Sequence, residues 1–258
     1  MAVTALITGA SGGIGKELAL IHAEKGGNLI VVARREDKLN ELKSEIESQY
    51  KVKVDLIALD LSVPGAAKSL FDSVNDKGLQ VDFLINNAGF GLRGMFHELP
   101  WERQLQMMQL NMIALSELCY LFLPGMIERN SGKILNTSST ASFMPGPLQA
   151  VYFSTKAYVT YLGNAIAEEL SDTNISVTTL MPGATETEFA KTADMEDTGL
   201  FKKAVSARSV AEDGYEAMIK GKLDVISGLT FSQKLMMSMI PITPKKILLK
   251  QIKQMQDV

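Results

Sequence analysis

Tyr152 and Lys156 stand four residues apart in VYFSTKAYV, and Ser139 precedes the tyrosine by thirteen residues. If the segment is helical, positions i and i+4 share a face, so an ammonium lies beside a phenol. A tyrosine titrates near pH ~10, and moving that value down by roughly 3 units takes about 4 kcal/mol. Attraction between unit charges at ~4 Å and an effective dielectric of ~20 is worth about that much. Lys156 is therefore expected to bring Tyr152 into the range of a working acid or base near neutral pH. Such a pair is common on solvated helix faces, so the chemistry needs support from elsewhere in the chain.

The N-terminus, VTALITGASGGIGKELALIHAEKGG, supplies it. Val3 to Thr8 is a short, mostly apolar run suited to a strand buried on both faces of a parallel sheet. Gly9, Gly13 and Gly15 follow, then a helix expected from Ile14 to Lys25. Strand, glycine turn and helix in that order are the context of a dinucleotide fingerprint. Small residues let the backbone approach a pyrophosphate, and the helix N-terminus offers it unpaired N–H groups.

With these motifs the chain resembles the short-chain dehydrogenase/reductase family, in its compact single-domain branch. TGASGGIG, Thr8 to Gly15, resembles the family's cofactor loop, which implies cofactor contacts from Gly9, Ser11, Gly13, Ile14 and Gly15. NNAG, Asn86 to Gly89, resembles its sheet-stabilising motif and puts Asn86, Asn87, Ala88 and Gly89 beside the adenosine half. Asn111, Ser139, Tyr152 and Lys156 match its catalytic set. PGATET, Pro182 to Thr187, matches the turn that meets the nicotinamide through Pro182, Gly183, Thr185 and Thr187. By this resemblance Tyr152 donates the proton to a carbonyl oxygen and Ser139 holds that oxygen. Lys156 tunes the tyrosine and binds the nicotinamide ribose, and Asn111 holds a water that relays protons to the lysine. Ser138 offers a rival hydroxyl, but the spacing to Tyr152 favours Ser139 and leaves Ser138 a structural role.

Cofactor choice is read at the end of the second strand, LIVVARRED. An NAD site usually carries Asp or Glu there, to bind the ribose 2'-hydroxyl. Here stand Ala33, Arg34 and Arg35, and two guanidiniums suit a dianionic 2'-phosphate. The expected cofactor is NADP(H), although the glycine loop has Gly12 where many NADP-using relatives carry a basic residue. Asp60 resembles the family's adenine-contacting aspartate, with Leu61 beside it.

Strand and helix patterns alternate, as crossover units of a parallel sheet require. Strands are expected at Val3–Thr8, Leu29–Ala33, Lys53–Ala58, Phe83–Asn86, Lys133–Thr137, Ser176–Leu180 and Asp224–Ile226. Helices are expected at Ile14–Lys25, Glu36–Gln49, Gly65–Asn75, Trp101–Glu128, Ala150–Leu170 and Val210–Lys220. The fold class is α/β, a single doubly wound Rossmann-type domain over residues 1–258 with a mostly parallel, seven-stranded sheet. A substrate loop is expected at 190–207 and a helical tail at 228–258. The tail's apolar and lysine-rich mix suits a lid or a membrane-surface helix, or a helix packed on the subunit or an oligomer partner.

Bulk properties exclude several rivals. The length suits one α/β domain with a large core. A net charge of −3 gives no basic stripe, so no nucleic-acid partner is expected. Cys119 is the lone cysteine and reads as a core residue in a reducing compartment. No leader peptide is recognised, and no uninterrupted apolar run reaches ~18 residues, so a cytoplasmic protein without a membrane span is expected. His22 and His97 have no partners at metal-ligand spacing, and no metal is expected. Family resemblance implies a homodimer or homotetramer.

The substrate is expected to be a small-molecule carbonyl. Phe90, Leu92, Met95, Phe143, Met144, Leu148 and Phe189 lie in the segments that surround it by resemblance, and they favour a hydrophobic ketone or secondary alcohol, with a 3-oxoacyl thioester or steroid among the candidates. The alternative is a catalytically idle NADP-binding sensor or scaffold, which needs only the cradle and not the complete catalytic set.

Overall fold

The computed structural model describes residues 2–196, 198 and 204–256. Seven parallel strands form its centre: β1 (Thr4–Thr8), β2 (Asn28–Ala33), β3 (Val54–Ala58), β4 (Phe83–Asn86), β5 (Gly132–Thr137), β6 (Ile175–Pro182) and β9 (Asp224–Ser227), in the order β3-β2-β1-β4-β5-β6-β9. β1 and β2 read as continuous apolar runs because helices cover both faces, and Leu6, Ile7, Ile30 and Val31 are fully buried. On one face lie α1 (Gly13–Glu24), α2 (Glu36–Gln49) and α8 (Ala207–Ile219), whose Leu18, Leu39 and Val210 share a core with Ile7 and Val31. On the other lie α3 (Ala66–Asp76), α5 (Leu115–Arg129) and α6 (Ala150–Glu169), with Leu70, Leu118 and Val159 packed around Leu6 and Ile30. Strand order reverses between β1 and β4, so a crevice opens at the carboxyl ends of these two strands.

The long helix departs from its expected form. It begins as α4 (Trp101–Met108), passes through a π-helical turn at Gln109–Ala114 and continues as α5. Single π turns inside α-helices cluster at functional sites, and Asn111 lies in this one. The full 29-residue stretch Trp101–Arg129 is long and apolar enough to cross a membrane, which corrects the expectation that no segment qualifies. Counting uninterrupted apolar residues missed it, because scattered polar side chains break the run. Leu115, Leu118, Cys119, Phe122 and Met126 bury one of its faces against the sheet.

Two further features escaped the periodic pattern. β7 (Thr185–Glu186) and β8 (Val205–Ser206) pair in parallel, Thr185 with Val205 and Glu186 with Ser206. The short α7 (Phe189–Thr192) follows β7. The expected substrate loop thus has a helical start and a stitched base, and its residues 197 and 199–203 lie outside the described ones. In the tail, α9 (Phe231–Ser238) and α10 (Lys245–Gln256) form, with Ile252 and Gln256 buried and Ile247 and Met255 exposed.

Candidate active site

Gly9, Asn87, Ser138 and Gly183 emerge from the carboxyl ends of β1, β4, β5 and β6, so one edge of the sheet collects all the motifs. The glycine turn is packed too tightly for side chains. Gly9 has φ +69°, and a Cβ there would lie 2.9 Å from Ala88 Cα. Gly13 has φ +53°, and its Cβ would meet Thr187 Cγ2 at 2.8 Å. These positive φ values favour glycine. The turn is locked to the NNAG segment: Thr8 Oγ1 accepts from the N–H groups of Asn87 and Ala88 at 3.0 Å each, and Asn87 Nδ2 donates to Thr8 O at 3.1 Å. Gly12, the N-cap of α1, provides no side-chain cap, so the N–H groups of the first turn face the crevice.

The catalytic-set residues come together on the other side of this crevice. Tyr152 is 8% exposed and Lys156 5%, on one face of α6 as their spacing requires. Lys156 Nζ donates to Thr137 O at 2.8 Å and lies 5.9 Å from the centroid of the Tyr152 ring. The Ser139 hydroxyl lies near the phenol and opposes its upward shift, accepts from Ala141 N at 3.1 Å and reaches Pro182 O at 3.5 Å. Ser138 faces the other way, with its Oγ donating to Lys156 O at 2.8 Å and 2.7 Å from Thr160 Oγ1. Spacing had separated these two serines in the same sense.

Electrostatics correct one expectation. Burial pushes the Tyr152 phenol up to about 12, with Ser139 opposing, and pushes the Lys156 ammonium down to about 8. Desolvation of the charged form outweighs the attraction that was expected to draw the tyrosine toward neutrality, since Lys156 spends its contact on a backbone carbonyl. At neutral pH Tyr152 keeps its proton and Lys156 remains mostly charged.

Asn111 is buried between the segment after NNAG and α6. Its Nδ2 donates to Phe90 O at 3.0 Å and to Thr155 Oγ1 at 3.1 Å, and its Oδ1 accepts from Phe90 N at 3.2 Å. The side-chain amide braces the segment after NNAG against α6.

The rim of the crevice is built from ion pairs. Arg35 Nη1 and Nη2 bond both oxygens of Glu188 at 3.0 and 2.8 Å, and Nη2 lies 3.3 Å from Ser11 Oγ. The same nitrogen would lie 3.5 Å from a Cβ at Gly12, so Arg35 fills the space that a basic residue in the loop would take. Arg34 approaches Asp60 at 3.9 Å, while Asp60 Oδ1 accepts from Ser62 N and Oγ. Leu61 turns its side chain into the core with Ile30 and Val32, which leaves its backbone to face a cofactor. Ile14 likewise packs on the core, while Thr185 Oγ1 donates to Gly183 O and Thr187 Oγ1 accepts from Phe189 N.

Over Tyr152 lies an apolar cover. Phe90, Met107 and Ala141 cluster with Tyr152, and Leu92 and Phe189 pack against them. The Phe189 ring sits 5.2 Å from that of Tyr152. Met95 and Phe143 are exposed instead, 42% and 40%. Arg93, which sequence reasoning passed over in favour of its apolar neighbours, donates to Asp194 O at 2.7 Å and to Gln256 O at 3.3 Å, joining the segment after α7 to the end of α10. Gln149 Nε2 contacts Met195 Sδ from the base of α6. Among the described residues no group of three or more His, Cys, Asp or Glu could hold a metal ion.

Comparison with known proteins decides the family, since the short chain dehydrogenase model matches residues 3–198. The chain belongs to the short-chain dehydrogenases. Over 193 residues this short-chain dehydrogenase is 32% identical to the very-long-chain 3-oxoacyl-CoA reductase of Mus musculus, covering 72% of this chain and 61% of that one. It therefore spans about three fifths of the length of that reductase and its human counterpart. A short-chain dehydrogenase from Sphingobium yanoikuyae, solved in complex with NADPH, superposes with TM-score 0.83 at 28% identity over 90% of this chain and 91% of that one. A 7beta-hydroxysteroid dehydrogenase superposes with TM-score 0.87 at 25% identity, over 97% and 96%. The chain has the Rossmann-type fold of these structures.

Proposed function

We propose that this short-chain dehydrogenase is an NADP(H)-dependent carbonyl reductase whose substrate is a hydrophobic ketone, with a 3-oxoacyl thioester as the first candidate and a steroid ketone as the second. The observation that carries the reading is Tyr152, buried beside Ser139 with its pKa pushed up to about 12, so that it holds a proton ready for a nascent alkoxide.

The crevice fits the cofactor. The uncapped first turn of α1 suits a diphosphate, and Arg34 and Arg35 suit a 2'-phosphate where no carboxylate follows Ala33. Bound NADPH supplies the hydride. Ser139 Oγ and Tyr152 Oη, which lie close to one another, converge on the carbonyl oxygen and stabilise its developing charge. Tyr152 then transfers its proton to that oxygen. Lys156, held by Thr137 O, keeps a positive charge next to the phenolate so formed and lowers the cost of that transfer. Phe90, Leu92 and Phe189 exclude water from the reacting groups and give the substrate an apolar wall. The substrate classes agree with the reductase and hydroxysteroid dehydrogenase that this chain resembles.

Purified protein incubated with NADPH and a panel of 3-oxoacyl thioesters, steroid ketones and aromatic ketones tests the proposal. Ketone-dependent NADPH oxidation is expected; tight NADPH binding without turnover across the panel would point to the idle cofactor-binding alternative.

A further inference from the structure

The guanidinium best placed for a 2'-phosphate already holds an anion. Both terminal nitrogens of Arg35 engage the Glu188 carboxylate, at 3.0 and 2.8 Å. The pair bridges the crevice from the end of β2 to the segment that joins β7 to α7, directly over the glycine loop: a Cβ at Gly12 would lie 3.5 Å from Arg35 Nη2 and 3.9 Å from Glu188 Oε2. The two rim arginines differ in what holds their partners. Asp60, beside Arg34, is fixed by Ser62 through two hydrogen bonds at 2.9 and 2.6 Å. The Glu188 side chain is 68% exposed, and among the described residues Arg35 alone hydrogen-bonds its oxygens. Asp60 is therefore a fixed part of the adenosine side, while Glu188 can rotate away.

We infer that Glu188 is a specificity-determining residue, a built-in competitor that occupies Arg35 and weakens the hold of this enzyme on the 2'-phosphate of NADP(H). The inference rests on the NADP(H) reading above. A dianionic phosphate outbids a single carboxylate for a guanidinium, so NADP(H) binds despite Glu188. It does so at the cost of breaking the bidentate pair, and the displaced carboxylate remains tethered close by as a like charge. NADH and NAD carry no phosphate at that position, so Arg35 and Glu188 stay together and neither effect arises. Glu188 thus opposes the phosphorylated cofactor selectively, and the preference set by Arg34 and Arg35 sits below the limit the two arginines could reach.

The test is equilibrium titration of the wild type, Glu188→Gln and Glu188→Ala with NADPH, NADH, adenosine 2',5'-bisphosphate and adenosine 5'-monophosphate. Both variants are expected to bind NADPH and the bisphosphate about threefold to tenfold more tightly, with NADH and the monophosphate changed less than about twofold. The gain should vanish when Arg35→Gln is added and shrink in high salt. Unchanged or weaker NADPH binding in both variants would overturn the inference. Weaker binding of NADPH and NADH alike would show instead that the pair clasps the diphosphate. The NADP(H) reading fails separately, if the wild type itself shows no preference for NADPH over NADH or for the bisphosphate over the monophosphate.

Discussion

The floor of the crevice and its rim are held by different physics. On the floor, Ser139, Tyr152 and Lys156 are fixed by hydrogen bonds to the ends of β5 and β6 and by a cluster of buried apolar side chains. Burial there shifts pKa values far from their ordinary range and makes each polar contact costly to lose. At the rim, Arg35 meets Glu188 and Arg93 meets Asp194 across solvent-accessible ion pairs. Such pairs contribute about 0–1 kcal/mol and yield to salt or to a better ligand. Chemistry needs groups that stay in place, whereas binding and release need contacts that can be exchanged, and the molecule assigns rigid and exchangeable contacts accordingly.

The sharpest way to break the floor is Tyr152→Phe. Removing the proton donor with almost no change in volume should lower ketone reduction by about two to four orders of magnitude while NADPH affinity, followed by titration, stays within about twofold. Near-normal turnover would remove Tyr152 from the mechanism. Lys156→Met should have the next largest effect, at least about tenfold in turnover, and it should alter the pH profile. In the wild type the ammonium is charged below about pH 8 and discharges above it, so reduction should fall on the alkaline side of that value. The variant should lose that limb. Thermal unfolding offers an independent check with the sign worked out. The folded-state pKa of Lys156 is lowered, so between about pH 8 and ~10.4 the unfolded chain binds more protons and this group's contribution to stability rises with pH.

Rim variants should act on binding and leave the floor intact. Neutralising Arg34 and Arg35 together should reduce the preference for NADPH over NADH at least about tenfold, because each charge-assisted hydrogen bond is worth about 1.5–3 kcal/mol. A double variant that kept its preference would place the 2'-phosphate elsewhere. Arg93→Met should loosen the cover by freeing both Asp194 and the end of α10, raising the Michaelis constant for the ketone about threefold to fivefold with little change in turnover. A fall in turnover with an unchanged Michaelis constant would move Arg93 from the rim to the floor. The smallest expected effect is that of salt: raising ionic strength to about 0.5 M should weaken NADPH more than NADH and leave the single-turnover rate of bound substrate unaffected.

Much of the floor could be read before any coordinates. The expected helix Glu36–Gln49 forms over those residues, and the expected strands differ from β1, β2 and β4 by at most one residue, because two-sided burial leaves a clear apolar run. The i, i+4 spacing placed Tyr152 and Lys156 together, and the choice of Ser139 over Ser138 came from the resemblance to the family, whose spacing to the tyrosine Ser139 matches. What stayed hidden depends on long-range packing. Arg35 and Glu188 are 153 positions apart, and Arg93 and Asp194 are 101 apart, so no local pattern links them. The direction of the Tyr152 shift was missed because a helix face shows which charge is near but not how much water the fold removes. Two-residue strands such as β7 and β8 carry no usable periodicity, and a π turn differs from an α turn only in how its hydrogen bonds are counted.

That short strand pair carries a consequence for how the enzyme could diversify. By joining Thr185 to Val205 and Glu186 to Ser206, it holds the two ends of the segment between them side by side. The entropy of bringing the ends together is met by the stitch and not by whatever lies between them, and it grows only slowly with the length of the insert. The part of the segment beyond Thr198 can therefore change in length while Pro182 and Gly183, anchored on β6 and β9, keep their places. On the proposed reading, substrate range can drift through that stretch while Ser139, Tyr152 and Lys156 stay where β5, β6 and α6 hold them.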